Sequence, residues 1–105
     1  MMQKNESEQN RLKMRRGDNE AILKGLKGGR CDNYYGICCA VKYNIKDNDI
    51  IAALKELQKD TYVSMGMSNA QFASAALDVL KIEPYTGSDK RVKDMIDAKF
   101  SFFDE

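Results

Sequence analysis

One stretch limits the fold more than any other. From Asp47 to Ile82 the chain reads DNDIIAALKELQKD, then a bridge TYVSMGM, then SNAQFASAALDVLKI. In the first part Ile50, Ala53, Leu54 and Leu57 recur at i, i+3, i+4 and i+7, so they share one face of a 3.6-residue helix. Ala52, Lys55, Glu56 and Lys59 fall on the opposite face, and Asp47 or Asp49 suits the N-cap. In the last part Ser68 and Gln71 form an S-x-x-Q capping box, followed by an apolar stripe of Phe72, Ala75, Ala76, Val79 and Leu80. The alanines of that stripe let two helix axes come close. Two amphipathic helices packed back to back are the expected centre of the molecule.

A chain of 105 residues, 43% hydrophobic and 31% charged, has the size and composition of one small soluble domain. No apolar run approaches the ~20 residues that span a bilayer, and MMQKNESEQN does not read as a signal peptide. Three cysteines, an odd number, do not suggest a disulfide framework, so a reducing cytoplasm is the expected location. The net charge of +1 is unevenly spread. Residues 1–30 hold eight Lys/Arg against four Asp/Glu, and the rest of the chain holds nine against twelve. A basic N-terminal third is either an electrostatic footprint or a solvated arm.

Residues 1–16 read as that arm, polar and basic, partly disordered or a fraying helix with Leu12 and Met14 as apolar positions. Residues 17–105 form the domain. Asp18 caps a short helix over NEAILKGLK, which Gly28 and Gly29 are expected to end through the left-handed conformation. Gly25 weakens that helix by up to ~1 kcal/mol relative to alanine. Over 32–43, with Asp32 as the expected cap, Tyr34, Ile37, Cys38 and Val41 share a helical face; the run also holds strand formers, but a lone ribbon with TYVSM is marginal, so a helix is expected. After Pro84 and a Thr-Gly turn, Ser88 or Asp89 caps a last helix, KRVKDMIDAKFSFF, whose rings must find a surface to cover. The expected fold is all-α, a compact bundle of about five helices.

The phrase IIAALKELQKD followed by AQFASAALDVL resembles the two helices of a HEAT repeat. In that family the first helix ends in an ALKEL-type run and an Asp opens the turn, here Leu54–Leu57 and Asp60; CCAVKY would belong to the second helix of a preceding pair. The bridge TYVSMGMS is longer and more apolar than the family's turn, and the basic residue often found early in the second helix is missing. The resemblance spans 18–103 and implies antiparallel helical pairs. Two repeats fall below the three or so that a free-standing solenoid needs, which a compact bundle or a dimer would answer. It also implies that the second helix of each pair lines a concave surface, offering Tyr35, Cys39 and Lys42, then Gln71, Ser74 and Asp78.

The chemistry is narrowed by what the chain lacks. Without histidine it has neither the commonest general base nor the commonest metal ligand. Cys31, Cys38 and Cys39 have no C-x-x-C spacing and fall short of a four-thiolate zinc site. KGLKGGR matches neither glycine-rich phosphate motif and ends a helix where those motifs begin one. The expectation is therefore a non-enzymatic protein-interaction module, a small adaptor, regulator or immunity-type protein, without cofactor, metal or inferred small-molecule substrate. Its partner is another protein, with a second copy of the chain as one option, and its contacts lie on the six concave-face residues or on Phe100 and Phe103. The alternative is a nucleic-acid binder using Arg11, Arg15, Arg16, Lys24, Lys27 and Arg30.

Overall fold

The computed structural model describes residues 4–61, 63, 64 and 67–101. Six helices appear among them: α1 (Lys4–Arg15), α2 (Asn19–Leu26), α3 (Arg30–Lys42), α4 (Asn48–Leu57), α5 (Asn69–Val79) and α6 (Lys90–Ala98). Helix makes up 67% of the described residues, and the fold is an all-α bundle. The bridge between α4 and α5 holds two short strands, β1 (Val63–Ser64) and β2 (Met67–Ser68), paired antiparallel with Val63 opposite Ser68.

The starts of the helices follow the local chemistry of the chain. Asp18 accepts from the Ala21 N–H at 3.1 Å, Asp47 from Asp49 and Asp89 from Arg91, each satisfying an otherwise orphaned donor. At α5 the capping box is complete: Ser68 Oγ accepts from the Gln71 N–H, and the Ser68 N–H donates to Gln71 Oε1 at 2.9 Å.

Packing builds two hairpins and stacks them. α2 packs on α3 and α4 packs on α5; then α2 meets α4 and α3 meets α5, so first helix faces first helix and second faces second. α1 lies across α2 and α3, and α6 lies on α5. Ala73, Ala75, Ala76 and Leu77 of α5 are fully buried, as are Ile37, Cys38, Cys39 and Ala40 of α3. Tyr34 and Phe72 meet edge to face across this contact, with ring centroids 4.9 Å apart.

Four expectations need correction. The segment read as an arm contains a docked helix. Met14 of α1 is completely buried, and Asn10 Nδ2 donates to the Ala21 carbonyl at 3.0 Å. A Cβ on Gly25 would come within 2.6 Å of Met14 Sδ, so the glycine that weakens α2 as a helix makes room for α1. Secondly, neither Gly28 nor Gly29 is left-handed. α2 ends because the buried Asn33 side chain donates to the carbonyls of Gly25, Leu26 and Gly28, at 2.9, 3.0 and 3.2 Å. Thirdly, α3 begins at Arg30 with Gly29 as its N-cap, so Asp32 lies within its first turn. Fourthly, α6 stops at Ala98, because Lys99 and Phe100 take positive φ and turn the Phe100 ring into the core, where it is 3% exposed.

Candidate recognition surface

Among the described residues, a group of aromatic and cationic side chains lies along the seam of α1 and α3. Helical spacing places Arg11 and Arg15 beside Met14 on the docked side of α1. Arg11 Nε donates to Asp32 Oδ1 at 3.0 Å, and its guanidinium carbon stands 5.9 Å from the Tyr35 ring centroid. Arg15 stands 6.0 Å from the same centroid and donates through Nη1 to Tyr35 Oη at 2.8 Å. One turn further along, Tyr43 Oη donates to the Arg15 carbonyl, and Lys42 Nζ lies 5.8 Å from the Tyr43 ring. The Tyr43 ring covers Gly17, where a Cβ would come within 3.1 Å of it. Tyr43 is nonetheless 39% exposed, and Arg15 and Lys42 reach solvent.

Cys39 lies beneath this seam, fully buried, so it offers nothing to a partner. Burial pushes its thiol up to about 11, opposed by the nearby Arg15 and Lys42 charges. Cys38 is pushed to about 12, again chiefly by burial, and Tyr34 beside it to about 12 for the same reason. At neutral pH both buried thiols stay protonated, the form that does not act as a nucleophile.

On α5 the three expected contact residues are engaged by the chain itself. Gln71 Nε2 donates to Asp89 Oδ2 at 2.8 Å, Ser74 Oγ accepts from Gln58 Nε2 at 3.2 Å, and Asp78 Oδ2 accepts from the Tyr85 N–H at 2.7 Å. Gln58 also donates to Glu83, and the Asp89 N–H donates to Tyr85 Oη. The connection 82–89 therefore lies over the face that the helical-pair pattern assigned to a partner. Phe100 belongs to the core, and Phe103 lies outside the described residues.

No family model matches the chain, and no curated protein or solved structure matches it.

The six basic residues of the nucleic-acid alternative divide into two groups. Arg11 and Arg15 belong to the seam. Arg16, Lys24 and Lys27 are exposed, and Arg30 lies 3.6 Å from Asp60, so Arg11 and Arg30 each face a carboxylate. Among the described residues no group of three or more His, Cys, Asp or Glu could hold a metal ion, and no helix is long and apolar enough to cross a membrane. Tyr35 and Lys42 belong to the expected concave face and Arg11 and Arg15 to the nucleic-acid alternative, whereas Tyr43 stands in neither. The available signal was the i, i+3, i+4 spacing of Arg11, Met14 and Arg15, which puts two cations on the flank of a docked helix.

Proposed function

We propose that this chain is a non-enzymatic protein-recognition module, HEAT-like in the stacking of its two hairpins, and that it binds its partner through the α1–α3 seam. The observation that carries the reading is the Arg11–Arg15–Tyr35–Lys42–Tyr43 cluster. Tyrosine and arginine dominate binding energy at protein interfaces because they combine large contact area with directional polar groups. Here the cations stack on the rings and Arg15 and Tyr43 are tied by hydrogen bonds, so less side-chain freedom is lost on binding. Hairpin stacking, first helix on first and second on second, supports the HEAT-like part. The cationic character of the seam calls for a partner surface that carries carboxylates.

Affinity capture with the full chain tests this, comparing wild type with Arg15→Glu/Lys42→Glu after nuclease treatment. The expected result is a protein partner that survives nuclease and is lost with the double variant. A second reading, nucleic-acid binding, draws on the same Arg–Tyr stacks, which suit bases as well as side chains. It predicts that the captured material disappears with nuclease and that affinity falls steeply with salt. Sedimentation of the wild-type chain reports whether the partner is a second copy.

A further inference from the structure

Three helices end around one cleft, and they end in the same way. In α3 the Asn44 N–H reaches back to the Val41 carbonyl and the Ile45 N–H to Ala40, both at 3.0 Å. In α5 Lys81 donates to Asp78 and Ile82 to Leu77, both at 2.9 Å; in α6 Lys99 donates to Ile96 and Phe100 to Met95. These are Schellman closures, whose first residue past the helix is left-handed. That residue is Asn44 (φ 51°), Lys81 (φ 62°) and Lys99 (φ 53°). All three line a cleft of about 570 Å³, together with the exposed Lys42 and the buried Val41 and Phe100. None of the described residues lining it is acidic.

A lysine near a helix C-terminus ordinarily offsets the negative end of the dipole, and any position in the last turn serves that purpose. It does not require the left-handed site, where a Cβ is strained and glycine or asparagine is favoured. α1 closes with the same hydrogen bonds and places Gly17 (φ 82°) there. Two lysines held in that conformation, both lining one cleft with a third, are a strained arrangement of the sort that accompanies ligand sites. A volume of this size falls within the range of small-molecule pockets. Ammonium groups recognise phosphate as point charges.

We propose that the cleft between the C-termini of α3, α5 and α6 binds a small phosphate monoester, with its phosphate among Lys42, Lys81 and Lys99 and its organic body against Val41 and Phe100. The site shares Lys42 with the partner surface proposed above, but Lys81 and Lys99 take no part in the seam, so variants at those two positions test this site apart from that reading.

Calorimetric or NMR titration of the full chain with adenosine monophosphate and with inorganic phosphate tests it. The expected result is one saturable site shared by both probes, weaker at higher salt, with the nucleotide binding more tightly. In Lys81→Gly/Lys99→Gly the affinity should fall at least about tenfold, because two charge-assisted contacts are lost. Its melting temperature should be unchanged or higher, because glycine relieves both left-handed positions. Lys81→Gln/Lys99→Gln, which keeps the side-chain length, should lose affinity to a similar extent. The proposal is overturned if neither probe saturates, if a folded double variant binds as wild type does, or if inorganic phosphate binds as tightly as the nucleotide.

Discussion

Asn33 does more for this fold than its polarity suggests. It is buried in α3, yet its amide holds three carbonyls at the end of α2, and its Oδ1 lies 3.5 Å from Asn69 Nδ2 at the start of α5. One side chain thus joins three helices, and leucine there would remove the amide's hydrogen bonds from these carbonyls, of which Gly25 would keep the one from the Gly28 N–H. Asn33→Leu should cost about 1–3 kcal/mol, read as a lower midpoint in urea denaturation. An unchanged midpoint would mean that water replaces the amide without loss. Gly36 acts by absence in the same contact, since a Cβ would sit 3.1 Å from Leu26 Cδ2 and 3.3 Å from the Ile22 carbonyl, which sets how closely α2 and α3 approach.

At the scale of elements, α1 is the segment whose place depends most on a single anchor. Its sequence is too polar to hold a helix by an apolar stripe. It docks through Met14, through Asn10 on the Ala21 carbonyl, and through Arg11 and Arg15 on Asp32 and Tyr35. Short isolated helices are marginal in water, so loss of docking should also cost helicity. Met14→Ala should therefore destabilise the protein by about 2–4 kcal/mol and speed amide exchange in 4–15 more than elsewhere. Uniform acceleration over all six helices would show that α1 folds and unfolds with the bundle as one unit.

Over the whole molecule, a radius of gyration of 12.8 Å matches the ~13 Å of a compact chain this long. Its interior is reached by two thiols and a phenol whose protons burial retains. Cys38 is held at about 12 against an ordinary 9.0, and Cys39 at about 11. Below about pH 9 folded and unfolded states are equally protonated at these groups, and their contribution is complete. Above that, the unfolded state loses thiol protons that the folded state keeps, so stability should fall as pH rises towards 11. Urea midpoints measured from pH 8 to 10.5 should decline, and Cys38→Val should flatten the decline; a slope indifferent to that substitution would place the titration elsewhere. On the acid side Asp89, held down to about 2 by its hydrogen bond from the Arg91 side chain, contributes above its ordinary 3.8 and loses that contribution as pH falls towards 2.

What the sequence by itself determined was local: five of the six helices, the capping box at Ser68, the cap at Asp18, those at Asp47 and Asp89 as one of two candidates each, the apolar face of α4, and Ala75, Ala76 and Leu80 on that of α5. Caps and 3.6-residue spacing involve residues at most a few positions apart, so they can be read along the chain. The tertiary structure decided what depends on distant residues meeting. It docked α1 over Gly25, ended α2 with a side chain from α3, buried Cys39 and Phe100, and covered the polar face of α5 with 82–89. The candidate recognition surface belongs to this second group. Arg15 and Tyr35 are twenty positions apart and become neighbours only once Met14 is in place, because a buried anchor in one helix sets which flank of the next it can reach.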